Sequence, residues 1–236
     1  MANNWKSIWE KRSLRTEVLG RDDVNALFME LKRADGFDVD GELSEDALLC
    51  QYEDIKRRLS DGAPSPVGSV YEFGCGSGAN LLLFERDGFK CGGIDYSKAL
   101  IDIAEKVLKS EDVTCGEAID APEEPIYDCI LANSVISYFP DTNYASSVLE
   151  KMFAKTNYSI GLIDVHNIEK KDDFIAFRRK TIENYDEKYD GLNKLFYSKK
   201  FFEDFAQKHG LRIEFSESVV ENYWNNEFVF NCFMYK

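Results

Sequence analysis

Between Val70 and Asn80 the chain reads Val-Tyr-Glu-Phe-Gly-Cys-Gly-Ser-Gly-Ala-Asn. An apolar run carrying one acid, Glu72, passes into Gly74, Gly76 and Gly78 at alternate positions. Glycines without a Cβ let the backbone turn tightly and approach a ligand, and a helix beginning just beyond them offers N–H groups with no intrahelical partner. A carboxylate two residues before the first glycine points at a cleft mouth, where it suits an ammonium group rather than a pyrophosphate. Asp95 closes a second apolar run, and its two oxygens can accept from both hydroxyls of a ribose. Gly116-Glu117-Ala118 follows a third run, where a polar side chain and backbone amides can meet an adenine edge. These residues point to an adenosine-containing ligand. Gly74-x-Gly76-x-x-Ala79 also satisfies the relaxed dinucleotide fingerprint, so at this level a nicotinamide dinucleotide stays open.

The elements that must position these groups can be read from periodicity and caps. Residues 1–61 read as charged helices: Trp5, Ile8 and Trp9 share one face, Val24, Leu27, Phe28 and Leu31 another. Ser44 caps a third helix through Leu48, Tyr52, Ile55 and Leu59. Residues 60–66 (Ser-Asp-Gly-Ala-Pro-Ser-Pro) read as a linker. From residue 67 onward strands alternate with helices: strands at 67–73, 89–95, 113–115, 127–132 and 159–165, with helices over 79–86, from Ser97 onward and around 143–154. That alternation predicts a parallel sheet with helices on both faces. Ser198 caps a late helix closing at Gly210. Two alternating segments around Leu211–Phe215 and Phe228–Cys232 then predict a terminal antiparallel pair.

Composition narrows the partners. The 236 residues carry a formal net charge of −14, which argues against nucleic acid, because phosphate binding needs a concentrated basic surface. Six cysteines form no CxxC pair and there are two histidines, so no metal site is expected. No apolar run is long enough to span a membrane, and the first residues lack the apolar core of a signal peptide. A cytoplasmic enzyme is the expectation.

Glu72, the glycine loop, Asp95 and the turn at Glu117 together resemble the class I S-adenosylmethionine-dependent methyltransferases, over roughly residues 67–236. The resemblance implies an α/β, Rossmann-like fold. Its sheet would have seven strands, mostly parallel, with helices on both faces and the last strand antiparallel. Residues 66–236 would form the S-adenosylmethionine-binding domain, preceded by a helical extension or lid over 1–65. By the same resemblance Glu72 and the loop of Gly74, Cys75, Gly76 and Gly78 would hold the methionine moiety. Asp95 would hold the ribose, and Ile94 and Tyr96 would flank the adenosine. Glu117 and Ala118 would meet the adenine, although an Asp is commoner at position 117. Asn133 and its neighbours, Ala132 to Ile136, would line the cleft where the methyl group meets its acceptor.

For the acceptor the sequence predicts a small molecule such as a sugar or secondary metabolite, methylated on a hydroxyl rather than an amine. That expectation rests on His166, just past the fifth strand, as general base, since an alcohol must lose its proton as it attacks. Tyr138 and Tyr223 are expected to form an acceptor wall. Trp5, Trp9 and Tyr52 of the N-terminal helices, and the aromatic-rich insertion over 166–197, are expected to cover the site. The competing readings are an NAD(P)-dependent oxidoreductase and a non-catalytic adenosine-ligand-binding module.

Overall fold

Short polar caps fix where the helices begin. In the computed structural model, which describes residues 5–15, 23–41 and 43–236, Asp23 caps α2 (Val24–Ala34), which follows α1 (Lys6–Trp9). Ser44 accepts from the Ala47 N–H at 3.1 Å to start α3 (Glu45–Leu59). Acids sit in the first turn of α3 and Lys56, Arg57 and Arg58 in its last, matching the helix dipole. The chain then alternates: β1 (Ser69–Phe73), α4 (Ala79–Arg86), β2 (Lys90–Asp95), α5 (Lys98–Val107) and β3 (Val113–Cys115), followed by β4 (Tyr127–Asn133), α6 (Thr142–Lys155) and β5 (Thr156–His166). It ends with α7 (Lys171–Thr181), α8 (Tyr185–Lys188), α9 (Lys199–His209), β6 (Arg212–Ser216) and β7 (Val229–Tyr235).

The strands make one seven-stranded sheet of order β3-β2-β1-β4-β5-β7-β6. β1 to β5 run parallel, and β7 pairs antiparallel with both β5 and β6. The expected fold class is the one observed, including the antiparallel last strand. Every residue of β7 is buried while β6, with Arg212 and Glu214, is the half-exposed edge, so the more apolar of the two late strands takes the inner place.

Alternating side chains divide the core into two layers. Val70, Leu131 and Ile163 face one side with α2, α3, α4 and α5; Tyr71, Ile130 and Leu162 face the other with α6 and α9. The helical extension expected over 1–65 lies in part outside the described residues. Of what is described, α2 and α3 bury Phe28, Leu31, Tyr52 and Ile55 in the same core layer as α4. Tyr52 donates to the Leu83 carbonyl (3.1 Å) and to Asp87 (2.7 Å), so it is a core residue and does not cover the site. The 166–197 insertion contains a helix that its mixed pattern did not announce: α7 places Phe174 and Phe177 against Phe228 and Trp224. β5 begins three residues earlier than expected, at Thr156, where α6 stops at the buried Lys155, whose ammonium donates to the Pro122 and Pro125 carbonyls. Among the described residues no helix is long and apolar enough to cross a membrane.

Candidate functional site

Strand order reverses between β1 and β4, and in open α/β sheets the ligand crevice opens at such a point, beyond the carboxyl ends of the strands. A cavity of about 940 Å³ opens there. Its inner half is lined by Glu72, Gly74, Cys75, Gly76, Asp95 and Tyr96. Asn133 at the end of β4, with Ser134 and Tyr138 beyond it, lines it too, and Tyr223 reaches it from the segment before β7.

The glycine loop is tight. Gly76 has φ +55°, and a Cβ there would stand 2.5 Å from an Asp35 carboxylate oxygen. Gly74 has φ +71°, with Val135 against the place a Cβ would take. A side chain at either position would meet both backbone strain and a collision. Asp35, just past α2, accepts from the Ser77 N–H at 2.8 Å, and its carboxyl is pushed up to about 7, first by burial. Asp95 receives the Gly76 N–H at 3.0 Å on one oxygen and the Ser97 N–H at 2.8 Å on the other. Burial nevertheless raises its carboxyl to about 6, and Glu117 adds to the rise. Asp95 thus braces the loop and caps the strand end, and each of its oxygens keeps a second lone pair for a hydroxyl.

Glu72 is 1 % exposed. One of its oxygens accepts from Asn80 Nδ2 at 2.6 Å; the other, Oε2, is buried with no hydrogen-bond partner. Asn80 in turn accepts from Lys32 Nζ at 2.8 Å, which puts a buried amine one side chain away from the acid; burial lowers its pKa, and Asp35, Glu72 and Asp164 oppose that. Burial raises the Glu72 carboxyl, and the neighbouring Asp35 and Asp95 add to that, while Asn80 and Lys32 oppose it. A buried acid with an orphaned oxygen beside two further acids is a site that waits for a cationic donor. Asn133 Nδ2, also buried without a partner, adds an unused donor at the end of β4.

The remaining expected residues divide. Tyr138 lines the cavity with Trp5 and Trp9 packed edge-on at 4.8 and 5.6 Å, so the N-terminal tryptophans do cover this side. Gly78, at φ +86°, begins α4 behind the loop. Cys75 is buried and its thiol is held well up by burial, which leaves it a packing residue. Glu117 is exposed and Ala118 half-buried, and both stand outside the cavity lining. His166 is 2 % exposed, stands behind the lining, and lies edge-on to Phe174 (5.1 Å) and Phe196 (5.4 Å) with neither ring nitrogen hydrogen-bonded. Burial, then the charges of Lys194 and Arg178, push its imidazole well below the ordinary range, so it is neutral and screened by rings.

Sequence reasoning missed Lys32, Asp35 and Asn80. Lys32 and Asp35 carry no motif in the sequence, and only the fold carries them under the loop. Asn80 did have a signal, since it opens the first turn of the helix that the loop begins. Also missed were Arg178 and Lys194 on the outer half of the cavity, which lie in an insertion without a motif.

A family described as a methyltransferase domain matches residues 45–214. A peramine synthetase of Metarhizium rileyi is 31% identical over 179 residues, which is 70% of this chain and 6% of that protein. A second peramine synthetase, from Metarhizium majus, is 29% identical over 184 residues, again 6% of its length; the chain therefore spans a small part of the curated relatives it matches. Among solved structures, the plantazolicin methyltransferase BpumL, in complex with a pentazolic desmethylPZN analog and SAH, aligns over 100% of this chain and 99% of its own, with a TM-score of 0.63 and 14% identity. The magnesium protoporphyrin IX methyltransferase of Synechocystis PCC 6803, with bound SAM, aligns over 92% and 99%, with a TM-score of 0.58 and 13% identity. At these identities the two structures establish a shared fold.

Proposed function

Because the chain belongs to the methyltransferase-domain family, we propose that it transfers the methyl group of S-adenosylmethionine to a small-molecule acceptor. The observation that carries this reading is the orphaned Glu72 Oε2, buried at the end of β1 beside a loop of left-handed glycines. The residues present fit that cofactor. Glu72 would receive its ammonium group, Asp95 its ribose hydroxyls, and Tyr96 would lie along the adenosine. When bound, the cofactor supplies a methyl group on a sulfonium, which leaves as a neutral thioether.

The protein's own work is then alignment and exclusion of water, for which proximity and orientation supply much of the acceleration. Trp5, Trp9 and Tyr138 wall the cavity on the acceptor side. Asp35, Glu72 and Asp95 gather three acids on the donor side, whose raised carboxyls ionise more readily beside a cationic group, and this favours a cationic donor over an anionic dinucleotide.

We further propose that the acceptor atom is an amine nitrogen. The hydroxyl reading needed His166 as base, and that imidazole is neutral, buried and separated from the cavity by Phe174 and Phe196. An amine that arrives neutral attacks without a protein base.

Calorimetric titration with S-adenosylhomocysteine and with NAD tests the donor assignment. The proposal requires binding of the first and none of the second; NAD binding alone would overturn it.

A further inference from the structure

We propose that the outer half of the cavity receives an acceptor that joins a planar ring to a carboxylate, and that Arg178 and Lys194 are its carboxylate partners. This rests on the reading of the cavity as a methyltransferase site and names the class of acceptor that it takes.

Arg178 of α7 donates to the Tyr189 hydroxyl at 2.9 Å and lies 4.6 Å from the centre of the Trp224 ring and 5.5 Å from that of Tyr189. Lys194 stands 4.6 Å from the centre of the Tyr138 ring, with its ammonium 3.3 Å from the Tyr138 hydroxyl. Trp5 joins the two groups: it packs 6.2 Å from Tyr189, lies 5.9 Å from the Lys194 ammonium, and its indole N–H donates to the Asn193 carbonyl at 2.9 Å. Both cations line the cavity, both are half-buried, and neither forms an ion pair with a carboxylate among the described residues. The contrast with Arg179, the next residue on α7, is direct: it pairs with Asp186 at 3.0 Å.

The charge distribution makes the arrangement specific. In a chain of net charge −14, two cations that form no ion pair beside a ring-lined cavity oppose the general trend; the acid that Lys194 acts on is Asp164, buried and hydrogen-bonded to Ser134. The inner half holds Glu72, Asp35 and Asp95. On the outer half Lys171 and Lys188 add to the positive side, and the acids that face the cavity there are Asp186, engaged by Arg179, and the exposed Asp190. Both cations also act electrostatically on His166, whose ring packs on Phe174 and Phe196. A site negative at one end and positive at the other orients a cationic donor and an anionic acceptor toward each other. The guanidinium fork matches a carboxylate in two hydrogen bonds, and the rings around it offer faces on which a planar acceptor can stack.

The test uses 2-naphthoate and its uncharged counterpart 2-naphthamide as probes, titrated calorimetrically into the full chain with and without S-adenosylhomocysteine. The wild type is expected to bind 2-naphthoate about tenfold or more tightly than 2-naphthamide, as charge-assisted hydrogen bonds to one carboxylate require. R178Q and K194Q are each expected to lose most of that preference, while K180Q, a charge removed from the exposed face of the same helix, keeps it. Because Arg178 packs on several rings, thermal melts accompany the titrations, and K194Q on a separate segment decides the matter should R178Q fail to fold. Equal affinity for the two probes, no binding of 2-naphthoate, or a preference unchanged in K194Q would overturn the proposal. Failure of S-adenosylhomocysteine to bind while the carboxylate preference holds would instead remove the donor assignment and leave this one standing.

Discussion

Ser134 and Asp164 stand at the ends of neighbouring strands β4 and β5, joined by a hydrogen bond of 2.7 Å from the serine hydroxyl to the carboxylate, and both hold a left-handed backbone, with φ +58° and +57°. Such conformations are strained for residues with a Cβ and persist where surrounding contacts impose them. Here Ser134 lines the cavity and Asp164 is buried behind it. The second Asp164 oxygen is buried without a partner, and the Ser134 hydroxyl also reaches Asn133 Oδ1 at 3.1 Å. Ser134→Ala therefore strips the buried carboxylate of its hydroxyl donor. The expected loss is about 1–3 kcal/mol, seen as a fall in Tm of about 2–4 °C per kcal/mol for a domain of this size.

The acids of the inner cavity set a pH dependence. Burial lifts Asp95 to about 6 and Asp35 to about 7, and Glu72 moves in the same direction, whereas an unfolded Asp titrates near about 3.9. The folded state thus holds more protons than the unfolded one above that value, so stability falls as pH rises. The cost begins near about pH 4 and is fully developed once pH has passed the folded values. A cationic ligand group at Glu72 favours ionised acids, so S-adenosylhomocysteine affinity is expected to climb over the interval in which the free protein loses stability. Chemical denaturation and calorimetry from about pH 5 to about pH 8 check both slopes; stability that rises with pH across this range would contradict the assignment.

Lys32 reaches Glu72 through a single intermediary, Asn80. Its removal in Lys32→Met lets the Glu72 carboxyl rise further, leaving less carboxylate to receive an ammonium. S-adenosylhomocysteine affinity near about pH 7 is expected to drop roughly tenfold, the equivalent of about one pKa unit. The deficit narrows as pH is raised toward about 8.5, where the acid ionises without help. A deficit independent of pH would show that Lys32 acts in some other way.

His166→Phe tests the displaced base. The imidazole is buried against Phe174 and Phe196 with both nitrogens unused, and a buried polar group without partners destabilises the fold. The variant is expected to melt at or above the wild-type temperature and to bind S-adenosylhomocysteine unchanged. Lost donor binding in a well-folded variant would return His166 to the site.

What the sequence makes legible is local. The caps at Ser44, Ser97 and Ser198 are observed as helix starts, because a short oxygen before an apolar period is a signal complete within four residues. The glycine loop, Glu72 and Asp95 are legible for the same reason: each is tied to the end of a strand that its own periodicity announces. Lys32 and Asp35 are not, since their roles depend on α2 packing over α4 more than forty residues away, as the Lys32–Asn80 and Asp35–Ser77 bonds show. His166 stands outside the cavity lining for a related reason. Its position at a strand end is correct, but the rings that wall it off come from α7 and from Phe196, in the segment with the weakest pattern. The acceptor half of the cavity is built from that segment and from α1, which explains why the donor is readable and the acceptor is not.

The central claim is that Glu72 recognises an ammonium group, and a pair of ligands isolates that contact. S-adenosylhomocysteine carries the ammonium; adenosine lacks the whole amino-acid part. Calorimetry on the wild type and Glu72→Gln is predicted to show S-adenosylhomocysteine weakened about 10- to 100-fold in the variant, the value of a hydrogen bond to a charged group, with adenosine affinity unchanged. Equal affinity of the two proteins for S-adenosylhomocysteine would contradict the account.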